Sequence, residues 1–271
     1  MVNPKDTLNS LNDTMKTVPK LYDDVVHPIA ASTGKLLSII PRAINAALSP
    51  IEQWIAIKDY NLEKTKILLA KELENVPEEN IVTPDPYVAV PAIQSISYCM
   101  NCDDLRSMYS KLLAKAMNKD TKNSTHPAFV EVIRQLSPND CLFLNSVKNE
   151  KDHPIANIRF QKPDYSFGLP AEGINMFHNL MILEDCVLNY NEINFSVSNL
   201  IRLGISNVTF DFTFNDEYYS ALKETSVYKS FLNDIDIYRK QNGRDNYVLY
   251  LQKGIFQTTP FGSSFIGACV L

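Results

Sequence analysis

Between Asp23 and Ile57 the chain carries only three charged residues beyond Asp24, namely Lys35, Arg42 and Glu52, and is otherwise apolar or rich in Ala and Ser. A helix on the surface of a globular protein needs a polar face. About thirty residues without one must be buried in protein, packed on a partner or laid on a membrane. Small residues (Ala30, Ala31, Ser32, Gly34, Ala43, Ala46, Ala47, Ser49) allow close helix approach. Leu36, Leu37, Ile39, Ile40, Ile44, Leu48, Ile51 and Trp54 supply area to bury, each worth about 1.5–3 kcal/mol when fully enclosed. Lys35 and Arg42 are spaced to snorkel to one edge. At a bilayer centre each would cost about 2.5–3.5 kcal/mol, so an interfacial helix is more favourable than a spanning one. These ten residues, Lys35, Leu36, Leu37, Ile39, Ile40, Arg42, Ile44, Leu48, Ile51 and Trp54, form the candidate membrane or partner contact.

The 271 residues suffice for one large or two ordinary domains, and 45% apolar with 21% charged is a globular composition. Only 8 glycines are present, which disfavours Gly-rich phosphate loops. Net charge is −5, spread as about −1 over residues 1–127 and −4 over 128–271. A nucleic-acid binder concentrates positive charge on one face or domain, so nucleic acid is not an expected partner. The polar start MVNPKDTLNSLNDTMK has no apolar h-region, and no apolar run reaches 18 residues. With five irregularly spaced cysteines, the expected setting is a reducing cytoplasm, peripheral association with the inner membrane remaining open.

Residues 1–19 form a polar leader. Pro28 starts a helix that Pro41 interrupts, and Ser49-Pro50 restarts one running to about Asn75. Tyr87–Tyr98 is apolar and helical, and Asp103 is the expected cap of the next helix. There Leu105, Met108, Tyr109, Leu112, Leu113, Ala116 and Met117 follow the spacing of one apolar helical stripe. Ser137-Pro138 opens a further helix. Beyond it, residues 149–175 read as loop and short extended pieces, INMFHNLMILEDCVL as helix or buried segment, and Ser196–Leu203 as a helix closed by Gly204. The alternation in VTFDFTF (Val208, Phe210, Phe212, Phe214) marks a strand, and Tyr247–Thr259 a strand or strand pair. The expected fold is therefore mainly α, with a helical N-terminal domain over 20–136 and a smaller α+β, winged-helix-like domain over 137–271.

No catalytic motif stands out. Cys99-x-x-Cys102 lies at a helix end beside two aspartates, where a thiolate is disfavoured. It lacks the second ligand pair a zinc site needs. His27, His126 and His153 each precede proline and read as helix-start devices. No catalytic, cofactor-binding or metal residue is assigned, and no small-molecule substrate is inferred.

Three blocks then stand out together: YDDVVHPIAASTGKLLSIIPRAINAALSPIEQWIAIKDY, ILLAKELENVPEENIVTPDPYVAVPAIQSISYCMNCDDLRSMYSKLLAKAMNKD and HPAFVEVIRQLSPND. With NLIRLGI and TTPFGSSFIGACV, they resemble the abortive-infection alpha family of bacterial phage-resistance proteins. The likeness is close over residues 20–145 and looser over 197–271. Its most specific part is LRSMYSKLLAKAM followed by HPAFVEVIRQLSP. The resemblance implies an intracellular defence role in which an infected cell is sacrificed or arrested. It brings no catalytic residues. Residues 146–196 and 215–246 match nothing and are where partner or trigger specificity is expected. The reading is a non-enzymatic defence protein that oligomerises or contacts the inner membrane through the Ala-rich region. Its rivals are a toxin enzyme with a site split between domains, and a sensor or adaptor without toxicity of its own.

Overall fold

The structure, a computed structural model, describes residues 67–96, 99, 102–163 and 172–271. The ten contact residues from Lys35 to Trp54 lie outside the described residues. The chain divides into two compact units, 1–135 and 136–271.

In the first unit, α1 (Pro86–Ile96), α2 (Asp103–Ala116) and α3 (Ala128–Arg134) pack on one another. The whole stripe from Leu105 to Met117 is buried, and Tyr109, Leu112 and Ile133 are fully enclosed. Helix α2 starts one residue earlier than expected, with Cys102 rather than Asp103 in the extended cap position. Asp103 and Asp104 instead occupy the first turn, where negative charge favours the N-terminal dipole. Residues 80–82 are tied to the end of α2. Val82 N–H donates to the Met117 carbonyl (2.7 Å), and Lys119 N–H to that of Asn80 (2.8 Å). His126 behaves as expected at a helix start, its Nδ1 accepting from Ala128 N–H at 3.1 Å.

The second unit begins with α4 (Pro138–Val147) and continues through β1 (Asp152–Gln161), β2 (Gly173–Leu180), α5 (Tyr190–Arg202), β3 (Ser206–Thr209), α6 (Glu217–Ser220), α7 (Ser226–Asn242), β4 (Val248–Thr258) and α8 (Pro260–Cys269). The strands form one antiparallel sheet in the order β2-β1-β4-β3. One face, carrying Ala156, Ile158, Phe160 and Leu251, packs on Tyr219, Leu222, Phe231 and Ile235 from the 217–242 segment. On the other face His153 and Phe256 lie side by side, and Phe143 of α4 meets Phe256 edge-on with centroids 5.6 Å apart.

This arrangement overturns the expected fold class. The protein is mixed α and β, built on a four-stranded antiparallel sheet, and is neither mainly α nor winged-helix-like. Three misreadings account for the difference. Residues 152–161, expected within a stretch of loop and short extended pieces, are the ten-residue strand β1. INMFHNL, taken as helix or buried segment, is strand β2. VTFDFTF leaves the sheet after Thr209 instead of extending to Phe214 as a wing. The physical cause is a sheet covered on both faces over part of its area. Strand β1 buries His153, Ile155, Ala156, Asn157, Ile158, Phe160 and Gln161, which blurs the alternation by which a half-exposed strand is recognised. His153-Pro154 also proves to be strand and not helix start. Pro154 pairs towards β4, and β2 does not reach past Ala156, so the proline's missing donor interrupts no ladder.

Candidate functional site

Strand β1 alternates Asn157, Arg159 and Gln161 with Ile158 and Phe160, so the three polar side chains share the face opposite the apolar cluster. Strand β4 sets Gln252 opposite Asn157 and Tyr250 opposite Arg159. Strand β2 sets Asn175 opposite Arg159. The register between β1 and β2 shifts twice, because β2 spends an extra residue between Ala156 and Ile158 and another between Ile158 and Arg159. Such bulges re-aim a side chain. Asn179 adopts φ 55° there, a left-handed conformation that Asn tolerates.

The result is two hydrogen-bonded groups on one face, a run of amides and a guanidinium between two amides. Asn157 Nδ2 donates to Gln252 Oε1 (3.2 Å), and Asn157 Oδ1 accepts from Asn179 N–H (3.1 Å). Asn179 Nδ2 reaches Asn194 Oδ1 on α5 (3.0 Å). Arg159 Nε donates to Gln161 Oε1 (3.0 Å), and its Nη1 to Asn175 Oδ1 (2.8 Å). Asn157 and Gln161 are buried while Asn175 and Tyr250 face solvent. At the same end of the sheet Glu172 accepts from Lys162 Nζ (2.6 Å) and from the Tyr247 hydroxyl (3.0 Å). The hydrogen bonds from Lys162 and Tyr247 hold its carboxyl below the usual carboxylate range. Chemically this face offers hydrogen-bond donors and acceptors, one guanidinium and an exposed phenol.

Helices α4 and α5 are locked by one carboxylate. Asp140 is buried, and its Oδ2 accepts from Ser137 N–H (2.7 Å), Ser137 Oγ (2.8 Å) and Asn199 Nδ2 (2.8 Å). Ser137 Oγ accepts in return from Asp140 N–H at 3.2 Å, completing a capping box. The Leu-Ser-Pro signal thus fixes a helix start and, through Asp140, a helix–helix contact.

Cys99 and Cys102 are free thiols. Cys99 Sγ donates to the Ser95 carbonyl (3.7 Å), and Arg106, buried and paired with Asp103, donates to the Cys99 carbonyl (3.1 Å). Burial first, then the charge of Cys102, pushes the Cys99 thiol up to about 11. Its thiolate fraction at neutral pH is then roughly a hundredth of that of a free cysteine. Iodoacetamide labelling followed by peptide mass spectrometry is expected to show Cys99 modified about a hundredfold more slowly than a model thiol. Labelling at the model rate would mean that the turn is open. Among the described residues no group of three or more His, Cys, Asp or Glu is placed to hold a metal ion. Among them, too, no helix is long and apolar enough to cross a membrane.

None of the sequence-predicted contact residues falls within the described residues, so none of them enters this site. The amide cluster escaped the sequence reading, although its signal was present. Asn157, Arg159 and Gln161 recur every second residue, alternating with Ile158 and Phe160.

These features define a two-unit scaffold whose sheet carries one apolar and one partly polar face. The model of the family described as abortive infection alpha matches residues 57–269, and the chain belongs to that family. Its role is accordingly one of defence by abortive infection. The matched span includes 146–196 and 215–246, which the sequence reading had set apart, and begins where the apolar stretch ends. No curated protein and no solved structure matches the chain.

Proposed function

We propose that this protein is a non-enzymatic effector of abortive infection. In this reading the second unit holds or senses a partner, and the apolar Ala-rich stretch near the start of the chain impairs the infected cell. The stretch acts by self-association or by lying on the inner membrane. The observation that supports the reading is the position of the stretch: the family match starts at residue 57, so the charge-poor segment from Asp23 lies, but for Ile57, ahead of the matched span. A long apolar segment interrupted by Pro41, Lys35 and Arg42 suits an interface better than a bilayer span.

The test is a triple substitution, Leu36→Asp, Leu37→Asp and Ile40→Asp, compared with wild type for phage protection, membrane fractionation during infection and thermal unfolding. The expected outcome is loss of protection with an unchanged unfolding transition. Membrane-bound wild type with a soluble variant identifies the membrane as the target. A wild type that stays soluble but changes from assembly to monomer on substitution identifies self-association. Full protection by the folded triple variant refutes the proposal. So does loss of protection from a single Asp, Glu or His substitution in a folded chain, which points to an enzyme.

A further inference from the structure

We infer that Arg244 and Tyr238, at the end of the sheet where β1 finishes and β2 begins, form a subsite for a carboxylate group on an acidic segment of a partner protein. The inference rests on the partner-holding role proposed for the second unit, and gives that role a place and a chemistry.

The main chain fixes the guanidinium. Helix α7 ends at Gly243, left-handed at φ 60°, and Arg244 N–H turns back to the Arg239 carbonyl (3.1 Å). Tyr247 N–H then donates to the Arg244 carbonyl (3.0 Å), and Arg239 Nε to that of Tyr247 (2.7 Å). This turn lays the guanidinium of Arg244 over the Tyr247 ring, its Cζ 4.9 Å from the centroid. Arg244 Nη1 donates to the Tyr238 hydroxyl at 2.9 Å. The Tyr238 ring itself packs on Phe160 and on Tyr247, with centroids 5.0 and 6.0 Å away.

Two pairs of a cation and a phenol thus meet at this corner, and they are unequal. Lys162 and the Tyr247 hydroxyl both donate to Glu172, one to each carboxylate oxygen. The side chains of Arg244 and Tyr238 are hydrogen-bonded to each other alone. Nε and Nη2 of Arg244 and the hydroxyl hydrogen of Tyr238 meet no acceptor among the described residues, and Arg244 makes no ion pair among them. Each of these groups is a donor, so the ligand that satisfies them is an oxyanion, which only accepts.

Charge selects the oxyanion. Lys162 and Arg244 set against Glu172 leave one positive charge in excess. Arg244 is near enough to act on that carboxylate: after the hydrogen bonds from Lys162 and Tyr247, its charge also helps to hold Glu172 below the ordinary range. One further carboxylate balances the excess, as Glu172 does beside Lys162, and its two oxygens suit the fork of a guanidinium. A phosphate dianion overshoots the balance and is repelled by Glu172 and by the exposed Asp245.

The test is an NMR titration of the isotope-labelled full chain, followed at the Arg244 Nε–H resonance and at the Tyr247 amide. The side-chain resonance is identified by its loss in Arg244→Lys. The probe is a short peptide of alternating glutamate and glycine, with sodium chloride and inorganic phosphate at matched ionic strength beside it. The peptide is expected to shift both resonances saturably, and chloride not to. Tyr238→Phe keeps the ring and is expected to bind about tenfold more weakly. Arg244→Lys keeps the charge but loses the fork, and is expected to weaken binding as read at the Tyr247 amide. Arg202→Lys on α5 leaves binding unchanged. Circular dichroism checks that each variant folds, and Arg244→Lys decides the matter where Tyr238→Phe does not. No saturable shift, an equal shift in chloride, tighter binding of phosphate than of the peptide, or full affinity in Arg244→Lys overturns the inference. The variant with aspartates at 36, 37 and 40 is expected to bind the peptide as wild type does, so this inference and the effector reading fail separately.

Discussion

Replacing Tyr219 by alanine is expected to lower the stability of the second unit by about 3–5 kcal/mol, the range for deleting a fully buried aromatic side chain. Tyr219 has no exposed surface and packs with Ala156, Ile158, Leu180, Leu222 and Leu251 across one face of the sheet. Its hydroxyl is used twice, once towards Phe214 and once towards Gly254. Burial raises its phenol above the ordinary range, so it stays a neutral donor at physiological pH. Tyr219→Phe keeps the ring and removes only the hydroxyl, with an expected cost of about 1–3 kcal/mol from the two stranded backbone groups. Urea denaturation of both variants separates packing from hydrogen bonding. Equal stability of Tyr219→Phe and wild type would show that water replaces the hydroxyl without cost. It would also mean that the 210–218 loop is not held by it.

The second large effect is expected at Gly262. A Cβ there would stand 1.9 Å from the Ile205 carbonyl oxygen. The obstacle is main chain, which a rotamer change does not move aside. The same point is crowded by design: Thr259 donates its hydroxyl to the Gly204 carbonyl (2.7 Å) and accepts from Gly262 N–H (2.9 Å), capping α8. Thr259 N–H also bonds the Ile205 carbonyl at 3.0 Å. Gly262→Ala therefore has to push α8 off the turn that joins α5 to β3, and is expected to cost about 3 kcal/mol, the upper part of the overpacking range. Gly267→Ala is the internal control. Its Cβ would meet nothing within 4 Å, and a helix interior prefers alanine to glycine. A thermal unfolding comparison should show the first variant destabilised and the second not. Equal melting temperatures would mean that α8 is free to shift.

Legibility in the sequence followed the strength of the local signal. The α2 stripe reads directly because a helix buried on one side repeats its apolar positions with unbroken period, and all seven residues proved buried. Ser137-Pro138 and Gly204 read directly because caps are local chemistry. The left-handed conformation of Gly204 (φ 73°) is the one expected after a helix. The sheet did not read, because its pairing is set by contacts far apart in the chain. Strand β1 lies about a hundred residues from its partner β4, and nothing within residues 152–161 announces that partner. Strand β2 was further disguised by its two bulges, which break the alternation in INMFHNL. The site followed the sheet: Asn157, Asn179, Asn194 and Gln252 come together only once the register is known. The alternation at Val208–Phe214 was real but misassigned. Its outer half serves a loop in which Phe212 faces water and Phe214 is half-buried against the core, so the alternation there marks no strand.

The irregular outer strand β2 has a consequence for how copies of this protein can meet. Its doubled insertions leave the backbone groups on that border out of step with any straight neighbour, and the opposite border, β3, is only four residues long. A sheet with such margins does not template the stacking of strand upon strand that leads to fibrils. This sheet can then be crowded together with other copies without its edges seeding runaway polymerisation. Contacts between copies through this sheet would rest on its side chains, and such contacts can come apart again.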